Sequence, residues 1–285
     1  MIITICVCGA GTMGSGIAQM AAQSGFATIL FDVDEAILEK AKEKIQKNLQ
    51  FLVDKKKISS EEKKEIFSRI KFTSEIKDCT AFVIIEAIVE IEKAKISLFT
   101  DLANFNNEEV IFASNTSSLS VSQVQEKIPF PERVIGMHFF NPPYIMKLVE
   151  VVKGKLTNQE VVNAVLDIAE KMGKAPVLCE DSPGFIVNRV ARHYYLESLK
   201  IVEDGIASFE QVDEIMEATG FKMGPFRLMD LIGIDINLTV SESVYKAFNN
   251  ASRFEPSPLQ LEKVKNNFLG KKTGSGFYNY TKTSA

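Results

Sequence analysis

The sequence predicts an α/β domain built on a mostly parallel, doubly wound sheet, followed by an all-helical domain. Short apolar runs alternate with amphipathic helical patterns through the first part of the chain, which is typical of parallel strands covered by helices on both faces. After Ser182-Pro183-Gly184 the strand patterns stop, and only helical patterns follow. We therefore predict an α/β domain over residues 1–182 and a helical domain over residues 183–285.

The individual elements follow from the local patterns. Short runs rich in Val, Ile and Phe predict strands, and apolar residues at helical spacing predict helices. In the second domain, glycines and prolines separate the helical patterns. The predicted strands are 2–8, 27–32, 70–73, 81–87, 110–114, 133–139, 147–153 and 175–179, and the predicted helices include 34–57, 60–69, 92–104, 158–172, 185–204, 208–219, 226–249 and 258–269.

The composition is that of an ordinary globular protein, with 46% hydrophobic and 25% charged residues. The net charge of −4 does not favour a nucleic-acid surface, and no apolar run approaches the roughly 20 residues that span a membrane. The chain enters its first predicted strand at Ile2, which leaves no room for a signal peptide. We expect a cytoplasmic protein that binds neither nucleic acid nor membranes.

The four cysteines do not form a recognisable metal-binding pattern. Cys6 and Cys8 alternate along one predicted strand, so they share a face and are expected to act as small core hydrophobes. There is no C-x-x-C motif and no paired histidine, the patterns that usually indicate zinc. We expect reduced thiols and no metal site.

A glycine-rich motif follows the first predicted strand. It reads Gly9-Ala10-Gly11-Thr12-Met13-Gly14 and leads into a helix-forming stretch. In a G-x-G-x-x-G turn, the first glycine permits the tight turn, the second lets the backbone approach a pyrophosphate, and the third lets the helix pack against the strand. The helix N-terminus offers N–H groups and partial positive charge to the phosphates. The motif predicts a Rossmann-like dinucleotide site.

An acidic residue after the second predicted strand indicates which dinucleotide binds. Asp32 lies eighteen residues after Gly14, where a carboxylate accepts hydrogen bonds from the ribose hydroxyls of NAD. The neighbouring residues supply no cation for the 2′-phosphate of NADP, so NAD is the predicted cofactor. Asp32 is alternatively an N-cap for the following helix, a role that does not exclude ribose binding.

One of the two histidines lies where a catalytic base is expected. His138 ends a predicted strand, and strand ends in such a sheet face the ligand. Glu150 is the acid within the next apolar strand, and an aliphatic strand rarely holds a carboxylate without a partner. The two side chains would satisfy each other if the strands are adjacent, although Glu150 could instead pair with Lys147 or face solvent. His193, inside a predicted helix, is expected to be structural.

Further polar side chains follow other predicted strands and begin the helical domain. Glu86 and Glu90 surround the end of one strand, Ser114-Asn115-Thr116-Ser117 follow another, and Asn188 lies early in a helix. Each residue alone is compatible with a cap or turn role.

Eight motifs together give the chain a family resemblance. They are GAGTMGSGIAQ at 9–19, EA at 86–87 with Glu90, SNTSSLS at 114–120, GMHFFNPP at 136–143, LVEVV at 148–152, DSPGFIVNR at 181–189, MGP at 223–225 and GKKTGSGFY at 270–278. In this order they cover essentially the whole chain. The sequence resembles the 3-hydroxyacyl-CoA dehydrogenase family, and most closely its short bacterial members, the 3-hydroxybutyryl-CoA dehydrogenases.

The resemblance implies a role for each matching residue. His138 and Glu150 would be the catalytic pair, with Ser117, Asn141 and Asn188 at the substrate. The NAD-binding residues would be Gly9, Ala10, Gly11, Thr12, Met13, Gly14, Asp32, Glu90, Lys95 and Asn115. The family binds CoA partly through lysines at the end of its long second helix. Lys55 is the nearest match here, although Phe51 and Asp54 interrupt the basic pattern.

The implied activity is hydride transfer between NAD and the 3-hydroxyl carbon of a short-chain (S)-3-hydroxyacyl-CoA, with a His–Glu pair as general acid and base. It implies an acyl-CoA substrate, a part in fatty-acid and butyrate metabolism, and a homodimer or higher homo-oligomer formed through the helical domain. Two alternatives remain at this point. The first is a dehydrogenase of a free hydroxy acid, as in the related L-gulonate dehydrogenase and lambda-crystallin branch. The second is an inactive NAD-binding protein, although such a protein is expected to have lost the His–Glu pair.

Overall fold

The computed structural model describes residues 3–280, which form two compact units with a boundary between Ser182 and Pro183. The first unit contains the sheet, and the second is helical. Ile2, where the first strand was predicted to start, and residues 281–285 of the predicted helical domain lie outside the described residues.

The first unit is organised around one sheet of eight strands. Its spatial order is β3-β2-β1-β4-β5-β6-β7-β8, and every neighbouring pair is parallel except β6 and β7. The predicted mostly parallel α/β sheet is therefore confirmed. The strands are β1 (Thr4–Cys8), β2 (Ala27–Phe31), β3 (Ile70–Thr73), β4 (Val83–Glu86), β5 (Ile111–Ser114), β6 (Val134–Phe139), β7 (Leu148–Lys153) and β8 (Ala175–Glu180).

Helices cover the sheet because the strands are apolar on both faces. The residues of β1, β4, β5 and β6 are almost all buried, as expected for central parallel strands. The helices of this unit are α1 (Thr12–Gln23), α2 (Glu35–Asp54), α3 (Ser60–Ser68), α4 (Glu92–Ala103), α5 (Val121–Gln125) and α6 (Gln159–Lys171).

Two details of these helices differ from the sequence prediction. Helix α2 ends at Asp54 rather than at Lys57, because Lys56 has a φ of 55°, which no right-handed helix accepts. The short helix α5 was not predicted. Its five residues are too few to show a helical period, and the Ser120 side chain caps its N-terminus by accepting from the Gln123 N–H.

The second unit contains α7 (Val187–Glu203), α8 (Phe209–Ala218), α9 (Pro225–Ile232), α10 (Ile234–Ala247) and α11 (Pro258–Lys265). Its all-helical character was predicted correctly. The single helix predicted over 226–249 was wrong, because Gly233, with a φ of 106°, separates α9 from α10. A helix requires a φ near −63°, and a glycine inside an apolar pattern does not reveal which conformation it adopts.

Two buried carboxylates explain why the MGP and GKKTGSGFY motifs are present. Asp213 accepts hydrogen bonds from the Phe226 N–H and the Tyr278 hydroxyl, both at 2.8 Å, and a Cβ on Gly224 of the MGP motif would lie only 2.3 Å from its Oδ1. Asp230 accepts from the Phe277 and Tyr278 N–H groups, both at 2.9 Å. These bonds attach the last described segment to the helices. The two motifs therefore have a structural function in this unit.

No helix within residues 3–280 combines the length and the apolar character that a transmembrane span requires.

Candidate active site

The glycine turn between β1 and α1 has the geometry that its sequence predicts. Gly9 has a φ of 100°, and a Cβ there would lie 2.7 Å from the Ala87 carbonyl oxygen. A Cβ on Gly14 would lie only 1.7 Å from the Gly9 carbonyl oxygen, so the helix approaches the strand too closely for any side chain. Around Gly11, by contrast, a Cβ would meet no described atom within 4 Å. The turn therefore leaves space at its middle glycine for a ligand.

The N-terminus of α1 begins in this turn. Gly11 is the N-cap, and no side chain among the described residues caps the helix. The first N–H groups of a helix have no partner within the helix and carry partial positive charge. This arrangement fits the pyrophosphate of a dinucleotide.

A cavity of about 600 Å³ opens beside the turn. Asp32 supplies its carboxylate, and the remaining lining beyond the glycine turn is largely apolar. A flat aromatic base with a ribose fits such a surface, because the base needs apolar contact and the ribose needs a hydrogen-bond acceptor. The apolar lining residues, which the sequence analysis missed, are Phe31, Val33, Ile37, Ala87, Ile88, Val89 and Leu98.

Some of these apolar lining residues are unusually exposed to solvent. Val33 is 81% exposed and Val89 is 63% exposed although both follow buried strands. Single exposed apolar residues are common and carry no information alone. Together, around the turn, they extend the predicted cofactor site.

Asp32 contacts the glycine turn directly. Its Oδ2 accepts a hydrogen bond from the Ala10 N–H at 2.7 Å, and its Oδ1 accepts from the Asp34 N–H at 3.1 Å. The alternative role as the α2 N-cap is taken by Asp34, whose side chain accepts from the Ala36 and Ile37 N–H groups. Asp32 therefore stands at the cavity and not at the cap.

Lys95 is a fully buried cation between two carboxylates. Its Nζ lies 2.6 Å from Glu86 Oε1 and 3.0 Å from Glu90 Oε2. Glu86 also accepts from the Ser114 hydroxyl at 2.7 Å and from the Ile88 N–H at 2.8 Å. The predicted cofactor residues Glu90 and Lys95 are thus in contact. Glu86, their additional partner, was noted in the sequence only by position.

The environment shifts the pKa values of Glu86 and Glu90 in opposite directions. Burial raises the pKa of Glu86 above its ordinary value, despite the opposing charge of Lys95. Burial also acts to raise the pKa of Glu90, but the charge of Lys95 and the hydrogen bond from Thr116 outweigh it and lower that pKa. Glu90 is therefore a stable anion in the segment that follows the central strand β4.

Glu90 organises the loop after β5. Its Oε1 accepts from the Thr116 hydroxyl at 2.5 Å and from the Ser117 and Ser118 N–H groups at 3.0 and 3.1 Å. Ser117, predicted at the substrate, is thus fixed through its backbone. Asn115 accepts from the Phe139 N–H at 2.9 Å, which ties the end of β5 to the residue after His138.

His138 and Glu150 meet across the antiparallel pair of β6 and β7. The two residues are directly opposite in the strand register, and His138 Nδ1 lies 2.7 Å from Glu150 Oε2. Both are buried, with 6% and 1% of their surface exposed. Glu150 therefore neither faces solvent nor needs Lys147 as its partner. A carboxylate on Nδ1 makes that nitrogen the donor and leaves Nε2 as the basic atom of the neutral ring.

The structure places the three remaining predicted substrate residues as follows. Asn141 follows β6, is exposed and precedes a cis peptide bond to Pro142. Lys55 is the C-cap of α2, and its Nζ lies 5.6 Å from the centre of the Phe51 ring. Asn188 is the second residue of α7 in the helical unit, where its carbonyl oxygen accepts from Arg192 Nε at 3.2 Å.

Two family models match the chain over nearly its whole length. The model for the NAD binding domain of 3-hydroxyacyl-CoA dehydrogenase matches residues 4–182. The model for the C-terminal domain of 3-hydroxyacyl-CoA dehydrogenase matches residues 184–280.

Individual proteins agree with the family models. A probable 3-hydroxybutyryl-CoA dehydrogenase from Bacillus subtilis is 40% identical over 278 residues, which cover 97% of this chain and 96% of that protein. A 3-hydroxyadipyl-CoA dehydrogenase from Escherichia coli is 41% identical over 97% of this chain, but the match spans only 59% of that longer protein. The crystal structure of (S)-3-hydroxybutyryl-CoA dehydrogenase from Ralstonia eutropha superposes with a TM-score of 0.95 at 36% identity, covering 99% of this chain and 100% of that one.

The sheet order, the glycine turn with its cavity, and these matches support one conclusion. The chain binds NAD through its first unit. It belongs to the 3-hydroxyacyl-CoA dehydrogenase family and is an NAD-dependent 3-hydroxyacyl-CoA dehydrogenase.

Proposed function

We propose that this enzyme acts on short-chain substrates and interconverts (S)-3-hydroxybutyryl-CoA and acetoacetyl-CoA. The observation that carries the chemistry is the 2.7 Å contact between His138 Nδ1 and Glu150. The short-chain preference is supported by relatives named as 3-hydroxybutyryl-CoA dehydrogenases, which match over nearly their full length.

His138 is the proposed general base. In the oxidative direction its Nε2 takes the proton of the 3-hydroxyl group, and Glu150 stabilises the imidazolium that forms and holds the ring in the required tautomer. In the reductive direction the same imidazolium returns the proton to the 3-oxo oxygen. NAD, when bound, supplies the hydride acceptor.

The remaining residues bind and orient. The glycine turn and Asp32 are proposed to hold the pyrophosphate and ribose. Glu90 and Asn115 are proposed to bind the nicotinamide half, because Asn115 bonds the residue after His138 and Glu90 organises the loop that follows Asn115. Lys95 is too buried to be a flexible ligand and is proposed to fix the Glu90 carboxylate, which it contacts at 3.0 Å.

The family resemblance assigns Ser117, Asn141 and Asn188 to the substrate. Ser117 and Asn188 are each proposed to hydrogen-bond the reacting oxygen or the thioester carbonyl, and Asn141 is proposed to bind the substrate as well. Lys55, exposed at the end of α2, would attract the CoA phosphates. Because the CoA phosphates are a non-reacting part of the substrate, such a contact would contribute to binding and not to chemistry.

One kinetic comparison tests the proposed substrate. NADH oxidation should be rapid with acetoacetyl-CoA and very slow with free acetoacetate at the same concentration, because CoA contacts contribute binding energy. A longer 3-oxoacyl-CoA serves as the chain-length comparison and should give a lower kcat/KM. Equal rates with free acetoacetate would favour the free-hydroxy-acid branch, and a preference for the longer chain would contradict the short-chain assignment.

We further propose that the helical unit mediates self-association. Large apolar side chains are exposed on and near α8, with Ile206 72%, Ile215 61% and Phe221 50% accessible. Apolar surface of this kind commonly marks an interaction site. Light scattering coupled to size-exclusion chromatography should give a dimer or larger oligomer, whereas a monomer at all concentrations would contradict the proposal.

A further inference from the structure

Three cysteine sulfurs meet inside the first unit, away from the proposed catalytic pair. Cys6 and Cys8 lie on β1, and Cys79 precedes β4. The Sγ atoms of Cys6 and Cys8 are 3.8 Å apart, and all three Sγ atoms lie within 4.8 Å of one another. Each residue is completely buried and none is in a disulfide. The sequence predicted that Cys6 and Cys8 share a face as small core hydrophobes, but it did not indicate that Cys79 lies beside them.

The spacing of the sulfurs suits one shared central atom. Three sulfurs bound at about 2.3 Å to a pyramidal centre with bond angles of roughly 100° lie about 3.5 Å from one another. The 3.8 Å between the Cys6 and Cys8 sulfurs is close to this spacing, and the cluster, within 4.8 Å overall, would contract by side-chain shifts to bind one centre. A disulfide requires a much closer approach, of about 2.05 Å.

The surroundings select the charge of that centre. Cys8 is in register with Glu86 on the neighbouring strand, so the two side chains share a face of the sheet. Cys6 is in register with the apolar residues Ile29 and Ile84. Glu86 is already paired with Lys95 and the register neighbours of Cys6 are aliphatic, so a further net charge in this buried region is costly. Three thiolates on a divalent ion carry one net negative charge, whereas three thiolates on a trivalent centre are neutral.

We propose that Cys6, Cys8 and Cys79 form a binding site for a trivalent thiophilic metalloid of the arsenic(III) or antimony(III) class. With arsenous acid the reaction is As(OH)₃ + 3 RSH → As(SR)₃ + 3 H₂O. Three As–O bonds break and three As–S bonds form, and each thiol proton leaves with a hydroxide as water. No atom changes its oxidation state, so no oxidant or reductant is required.

The test uses arsenite and the full-length chain under a phosphine reductant. Loading is performed on the folded protein and, separately, during refolding from urea, so that burial does not limit access. Arsenic that remains after desalting is measured by mass spectrometry, and reactive thiols are counted after denaturation. The variants are Cys79→Ala and Cys8→Ala, and Cys179→Ala is the matched control because Cys179 lies outside the cluster. Circular dichroism and NADH binding check that each variant is folded.

We expect one arsenic per chain in the wild type and in Cys179→Ala, and none retained in Cys79→Ala or Cys8→Ala. The loaded wild type should show one reactive thiol in place of four, since three of its four cysteines are bound. Retention in folded Cys79→Ala would overturn the three-sulfur site, as would no retention by the wild type after either loading. Retention of Zn²⁺ with exclusion of arsenite would overturn the trivalent assignment.

Discussion

Replacing Lys95 by methionine should strongly destabilise the first unit. The change preserves side-chain volume and removes the ammonium group that contacts Glu86 at 2.6 Å and Glu90 at 3.0 Å. Glu86 is completely buried, so its carboxylate loses the cation that it contacts within residues 3–280 and gains no solvent in exchange. Breaking a buried ion pair typically costs about 3–5 kcal/mol, a large fraction of the roughly 5–15 kcal/mol by which domains are stable.

The pH dependence of this loss identifies its cause. Burial already raises the pKa of Glu86, and removing the cation should raise it further. A group with a raised folded-state pKa stabilises the fold below its unfolded pKa and loses that contribution as the pH rises through the folded value. The destabilisation by Lys95→Met should therefore be larger at pH 8 than at pH 5.5.

The assay is urea unfolding followed by far-UV circular dichroism, since the chain contains no tryptophan. Lys93→Met is the matched control, because Lys93 lies on the same helix but is exposed, and it should change stability by less than about 0.5 kcal/mol. The double variant Glu86→Gln/Lys95→Met should recover much of the loss. Equal stability of the Lys95 and Lys93 variants would refute the electrostatic role assigned to Lys95.

Three further predictions concern other parts of the chain. NAD(H) should be strongly preferred over NADP(H), and Asp32→Ala should narrow the gap in kcat/KM; comparable values for both cofactors in the wild type would contradict the ribose assignment. Lys55→Ala/Lys56→Ala should raise the KM for acetoacetyl-CoA with little change in kcat, and an unchanged KM would mean that these lysines only end a solvated helix. Asp230→Ala should leave the Phe277 and Tyr278 N–H groups without their acceptor and cost about 2–5 kcal/mol of stability; an unchanged unfolding midpoint would argue that these bonds do not hold the last described segment against the helices.

The sequence predicted the elements whose signal is local. The strands show as short apolar runs, and the glycine turn and Asp32 have a fixed spacing that the nucleotide imposes. The sequence also indicated His138 as a candidate partner for Glu150, because a carboxylate in an aliphatic strand requires a partner nearby. That argument did not establish the antiparallel register that places the two residues opposite each other.

The features that were missed depend on contacts between distant segments. Lys95 lies on α4 and Glu86 ends β4. The spacing of residues along α4 does not indicate that the lysine side chain is buried in the core. Cys79 reaches Cys6 and Cys8 only through the fold of the chain between them. The break at Gly233 depends on a positive φ, which many glycines in helical patterns do not adopt.

A double-mutant cycle on His138 and Glu150 tests the central claim most directly. We predict that His138→Ala lowers kcat by about 10²–10⁴-fold with the Kd for NADH unchanged, and that Glu150→Gln loses most of the same factor. The double variant should be little worse than the poorer single variant, because the residues act as a unit. His193→Ala, the histidine control, should retain activity. Near-normal turnover in His138→Ala, or independent and additive losses in the double variant, would contradict the account.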